Sequence, residues 1–123
     1  MRIMVILSGL LVGTSTLAQA MPASEFLTKA EALSSRGPFA LLSSDYSVLK
    51  DATMSAGMAL KKERLAAVAA HQRPAYCPPA GKGGMDADEL MNAIRAMPPA
   101  LRARTDLKDA MRILLMHKYP CPA

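Results

Sequence analysis

Three small groups of residues in this chain could carry chemistry. They are two cysteines, Cys77 and Cys121, two histidines, His71 and His117, and an acidic cluster, Asp86, Asp88 and Glu89. A cysteine pair can serve as a redox centre, as metal ligands or as a covalent staple. Redox centres of the thioredoxin type use C-x-x-C, which this chain does not contain. A zinc site takes four ligands at short, regular spacing. Adding both histidines to the cysteines gives four ligands but no such spacing. A disulfide fits best. Each cysteine sits among prolines just outside a helical pattern, in Tyr76-Cys77-Pro78-Pro79 and Tyr119-Pro120-Cys121-Pro122. The loop it closes spans 121 − 77 = 44 residues, which in the chain-entropy account stabilises the fold by about 4 kcal/mol.

The remaining candidates have simpler explanations. His117 lies four residues before Cys121, but a disulfide-bonded sulfur is no nucleophile. His71 and His117 both read as solvated or helix-capping side chains. Asp86, Asp88 and Glu89 resemble a paired-carboxylate site, yet they fall in the first turn of a helix, where acidic groups face the positive helix end. Gly81-Lys82-Gly83-Gly84 lacks the G-x-x-x-x-G-K-[ST] pattern of a phosphate loop, and no strand precedes it. The expectation is a protein that is not an enzyme, with no catalytic residues, no metal and no cofactor.

The elements that position these residues begin after a secretory signal over residues 1–20. Arg2 supplies the basic start, Ile3 to Val12 the apolar run, and Ala18-Gln19-Ala20 an A-x-A cleavage site. That run is far short of the roughly 20 apolar residues that span a bilayer, so cleavage is preferred over an uncleaved anchor. Residues 21–123 then form one domain of 123 − 20 = 103 residues. A domain of this size buries only about two thirds of its unfolded surface, which is why a staple matters. A signal and two cysteines fit an oxidising compartment. We expect the bacterial periplasm, with secretion beyond it as the alternative. Without Arg2 there are 14 basic and 10 acidic side chains, a net +4. The excess is modest and scattered, and there is no Trp. Nucleic-acid binding calls for a concentrated basic footprint with stacking aromatics, so it is set aside, as is membrane association after cleavage.

Hydrophobic periodicity predicts an all-α fold, a small bundle of four main helices stapled by one disulfide. A first helix over residues 21–36 carries Phe26, Leu27, Ala30 and Leu33 on one stripe, and Gly37-Pro38 ends it. Phe39 to Leu42 form an apolar bridge of one turn. A long second helix starts at Ser43-Ser44-Asp45 and runs to about Gln72. Tyr46, Leu49, Thr53, Ala56 and Leu60 lie on one of its faces, with Ala52, Ala59 and Ala66 alongside. Gly57 in mid-helix suggests a close contact. A third helix opens on a capping box, Asp86 with Glu89, and a Met85–Leu90 staple. It buries Leu90, Ile94 and Met97 and ends at Pro98-Pro99. Leu101 to Arg104 read as a linker and Thr105 as the cap of the last helix, which buries Leu107, Ala110, Met111, Leu114 and Leu115. Methionines read mostly as core filler.

Two loops are the exposed candidates for partner contact. One is the Pro/Gly loop with Pro78, Pro79, Lys82 and Met85. The other is the second linker, with Arg102 and Arg104.

The C-terminal half, residues 76–122, resembles the Rap/Tai immunity proteins of type VI secretion systems. The likeness is carried by Tyr76-Cys77-Pro78-Pro79, then a helix with Asp88-Glu89-Leu90, then a helix ending Lys118-Tyr119-Pro120-Cys121-Pro122. It implies a periplasmic inhibitor that binds a peptidoglycan-degrading amidase effector, often as a homodimer, some members blocking the effector's active site with a loop. Residues 21–76 hold none of the extra cysteines that members often carry there. The alternative expectation is an exported helical module of the bacterial envelope with a structural or accessory protein-binding role.

Overall fold

In a computed structural model the first helix, α1, spans Ala23–Ser34 and touches each of the four helices that follow. The structure describes residues 20–81 and 83–123. The signal expected over residues 1–20 therefore lies outside it except for Ala20, and Lys82 lies outside it too. Every regular element among the described residues is helical: α1, a 3-10 turn Gly37–Leu42, α2 Ser44–Ala69, α3 Ala87–Ala96, α4 Pro99–Arg104 and α5 Leu107–Lys118. None of these helices is long and apolar enough to cross a membrane.

The apolar stripe of α1 does what its spacing demands. Phe26, Leu27, Ala30 and Leu33 are buried, together with Ala23. The start of the helix is held by its surroundings instead of a side-chain cap. Ala23 N–H donates to Thr105 O at 2.8 Å, and Leu107 N–H donates to Met21 O at 2.8 Å. This antiparallel clasp ties the beginning of the domain to the joint between α4 and α5. It satisfies backbone groups that helix ends otherwise leave orphaned.

α2 starts where its cap signal stands: the Ser43 hydroxyl accepts from Asp45 N–H at 3.2 Å. It stops at Ala69, three residues before the expected end, because His71 turns left-handed with φ +55°. Gln72 N–H bonds back to Ala67 O and His71 N–H to Val68 O, the paired closure of a Schellman motif. Leu49 and Leu60 are buried on α2, while Tyr46 and Ala66 from the expected apolar faces are exposed. Gly57 faces α5, but a Cβ there would lie 3.9 Å from the terminal methyl of Met111, an ordinary van der Waals distance and not the close contact expected.

α3 forms the expected capping box. Glu89 N–H donates to Asp86 Oδ1 at 2.8 Å, and Asp86 N–H donates to Glu89 Oε2 at 3.1 Å. Leu90, Met91 and Ile94 are buried on it. The segment after Pro98 corrects the sequence reading: Leu101 to Arg104 belong to the short helix α4 and not to a linker. Pro99 occupies its first turn, where a missing N–H loses nothing. The cap of α5 is Asp106, whose Oδ1 accepts from Asp109 N–H at 2.8 Å, and Thr105 closes α4 instead. The core draws on every one of the longer helices, and its two most deeply buried large side chains are Leu60 and Ile94. Met54, Met58 and Met116 are exposed, so the methionines are only partly core filler.

Candidate partner-binding face

Cys77 and Cys121 are joined by a disulfide, with their Cα atoms 4.8 Å apart. Beside it, Cys77 N–H donates to Tyr119 O at 2.8 Å, and the Arg73 guanidinium donates to Cys121 O at 3.1 Å. The staple therefore brings the exit of α2, the start of the Pro/Gly loop and the end of α5 to one place.

The far end of that loop is fixed as well. Lys118 Nζ donates to Gly84 O at 2.9 Å and to both carboxylate oxygens of Glu89 at 2.9 Å. The Tyr119 hydroxyl donates to the same Gly84 carbonyl at 3.2 Å. The hydrogen bond from Lys118, with that from Asp86 N–H, holds the Glu89 carboxyl below its ordinary value; Glu89 in turn raises Lys118. Two glycines are required by geometry. Gly81 sits at φ +74°, and a Cβ on Gly83 would come 3.1 Å from Pro78 Cβ. The loop is thus anchored at Cys77 and again at Gly84.

Between this loop and α2 lies a cleft of about 570 Å³, within the size range of ligand pockets. Three residues expected to contact a partner, Pro78, Pro79 and Met85, lie together in its wall. The opposite wall is α2, with Met54, Gly57, Met58, Lys61 and Arg64, and Tyr76 is a further wall residue. Lys61 and Arg64 are the only charged groups among these lining residues, and both are cationic. Arg64 stacks over the Tyr76 ring at 5.7 Å. Its Nε is buried and has no hydrogen-bond partner among the described residues.

The other expected contact residues are not part of this wall. Arg102 is half-buried and closes the end of α3. Its guanidinium donates to the carbonyls of Ile94 at 3.1 Å and of Arg95 and Met97 at 3.0 Å. A side chain expected to be free in a linker is thus a cap for orphaned helix carbonyls. Arg104 is exposed and donates to Ala100 O at 3.3 Å.

The helix wall of the cleft was missed in the sequence, although it carries a signal there. Met54, Met58, Leu65 and Val68 recur at i, i+4, i+11 and i+14, a second apolar stripe on α2 apart from the buried one. All four are exposed. His71 and His117 are exposed at the ends of α2 and α5. Among the described residues no three His, Cys, Asp or Glu side chains are grouped to hold a metal ion. The arrangement suits recognition of another molecule by shape and charge. No family model, curated protein or solved structure matches this chain.

Proposed function

We propose that this protein is an exported, immunity-type inhibitor that acts in the periplasm by binding a peptidoglycan-degrading amidase. The observation that carries the binding part is the loop Cys77–Gly84. It is anchored at both ends and faces a cationic, partly apolar helix across an open cleft. A segment fixed at both ends loses less entropy on docking than a free one, which favours recognition without chemistry. The amidase as target rests on the likeness of residues 76–122 to Rap/Tai proteins, together with the signal-like first twenty residues.

The second reading is an exported helical module with a structural or accessory role in the envelope. It is favoured by the exposed apolar residues Phe39, Leu41 and Leu42 on the 3-10 turn, a patch well away in sequence from the stapled half. The deciding experiment uses the tagged, oxidised chain to capture partners from periplasmic extract of related strains, followed by mass spectrometry. A captured amidase whose peptidoglycan hydrolysis stops on adding the chain supports the inhibitor. A captured envelope protein that is no hydrolase supports the second reading.

A further inference from the structure

We infer that the cleft between α2 and the stapled loop receives an acidic, apolar segment of a partner protein, with a carboxylate of that segment paired to Arg64; this rests on the protein-binding reading above.

The turn Lys61-Lys62-Glu63-Arg64 is electrostatically lopsided. Its one acid, Glu63, is held at 2.8 Å by Lys108 and again at 2.8 Å by Arg112, both from α5. The three cations of the same turn have no ion pair or side-chain hydrogen bond among the described residues. For Lys61 and Lys62, which are exposed, water suffices. Arg64 Nε is covered and has no acceptor among the described residues, while the side chain as a whole is only half-buried and lines the cleft, so a partner's acceptor would meet the outer end of its guanidinium. A guanidinium offers five donors in a rigid fork that matches a carboxylate. With Tyr76 stacked over it, Arg64 is already oriented for such an acceptor.

The apolar part of the ligand follows from the rest of the wall. Met54 and Met58 are 56% and 71% exposed, and Met85 and Pro78 face them across the cleft. Methionine fits irregular apolar shapes and is favoured on adaptable binding surfaces. The stripe continues past the cleft through the exposed Leu65 and Val68. A small free anion would leave that stripe uncovered, whereas a peptide segment covers it.

A second copy of this chain does not fit the charges. In an antiparallel symmetric pairing of the stripe, Met54 faces Val68 of the other copy and Met58 faces Leu65. Lys61 then meets Lys61 or Lys62 of the other copy at the centre. A parallel pairing sets Lys61 against Lys61. Like charges at the centre of an interface disfavour both.

The test is NMR titration of the oxidised chain, following the Arg64 Nε–Hε signal and the Met54 and Met58 methyls. The probes are a mixed peptide library of Glu and Leu, a matched library of Lys and Leu, polyglutamate and inorganic phosphate. The expected result is that only the Glu/Leu peptides shift all three signals together. Arg64→Met and, separately, the surface change Lys61→Glu should each weaken that binding about tenfold or more. Lys61→Glu sits on an exposed position, so it reports on binding even if Arg64→Met fails to fold. Equal binding of the Lys/Leu library, shifts with phosphate alone, or unchanged affinity in Lys61→Glu overturns the inference. So does a dimer in sedimentation equilibrium that Met58→Glu dissociates. If an amidase is captured equally by wild type and Lys61→Glu, the cleft assignment falls and the inhibitor reading stands. If acidic peptides bind as described but no amidase is captured, the reverse holds.

Discussion

The backbone N–H of Cys77 donates to the carbonyl of Tyr119 at 2.8 Å, two residues from the cysteine to which Cys77 is bonded. The covalent link therefore reinforces a joint that the main chain already makes. Breaking the disulfide should leave the native pairing possible but enlarge the unfolded ensemble. For a 44-residue separation the chain-entropy account gives about 4 kcal/mol. At about 4 °C or more per kcal/mol for a domain of this size, Cys77→Ser should lower the melting temperature by roughly 15 °C or more. Reductant should do the same to the unmodified protein. A melting curve indifferent to reductant would show that the staple contributes nothing.

Glu63 joins α2 to α5 by accepting from Lys108 and Arg112, and those hydrogen bonds hold its carboxyl below the ordinary 4.5. Its contribution is fully present above that unfolded value and is lost as the pH falls through the lowered folded one. Glu63 is nearly half exposed, so solvent screening keeps each pair below about 1 kcal/mol. Comparing melting temperatures from pH 6 to pH 3, Glu63→Gln should flatten part of the acid decline seen in the unmodified chain. Parallel curves for the two proteins would remove Glu63 from the account. Glu89, lowered by Lys118, acts in the same direction.

Most of the fold could be read from local chemistry. The stripe of α1, the Asp86–Glu89 box and the stripe of α5 are signals carried within a dozen residues, and each formed where it stands. The staple was legible because two cysteines flanked by prolines leave few other roles. What escaped depends on contacts between elements. Pro98-Pro99 looks like a stop, and only the neighbouring α1 and the Arg102 cap make the six residues Pro99–Arg104 worth a helix. Thr105 and Asp106 are both good caps, and the clasp of Ala23 onto Thr105 decides between them. The binding face was half visible. Proline and glycine announce a loop, but nothing local reveals that α2 lies across from it. The stripe Met54, Met58, Leu65 and Val68 could have been found by asking whether α2 has one apolar face or two.

Arg102 gives a sharper test of the packing than its exposed neighbour Arg104. It donates to three carbonyls at the end of α3, and hydrogen bonds from a charged group contribute about 1.5–3 kcal/mol. Arg102→Met keeps the stem and removes the donors. It should lower stability by about 2 kcal/mol, while Arg104→Met stays within about 0.5 kcal/mol of the unmodified chain. Urea midpoints of the two variants decide it. Equal midpoints would mean that Arg102 is a solvated side chain after all.

His71 closes α2 from a left-handed backbone position, φ +55°, that glycine usually fills. An L side chain there costs about 1–2 kcal/mol. Glycine removes that strain but adds freedom to the unfolded chain. The net expectation for His71→Gly is a gain of about 0.5–1 kcal/mol, read as a higher urea midpoint with an unchanged slope. A lower midpoint would mean that the imidazole makes contacts that outweigh its backbone strain.

Gly57 sits in the middle of α2, and a Cβ placed on it would come 3.9 Å from the terminal methyl of Met111 on α5. That is ordinary van der Waals contact with the far end of a flexible side chain. Glycine in a helix interior is about 1 kcal/mol worse than alanine, because it leaves more backbone freedom to be lost on folding. Nothing at this position needs a positive φ, and the space for one methyl is there. Gly57→Ala should therefore raise stability by about 0.5–1 kcal/mol, with the slope of the urea transition unchanged. Had glycine been needed for α2 and α5 to touch, the added methyl would push them apart, and the expected sign would reverse. A fall in the midpoint would therefore show that the Met111 side chain cannot accommodate the added methyl. The packing on which the cleft is built would then have to be redrawn.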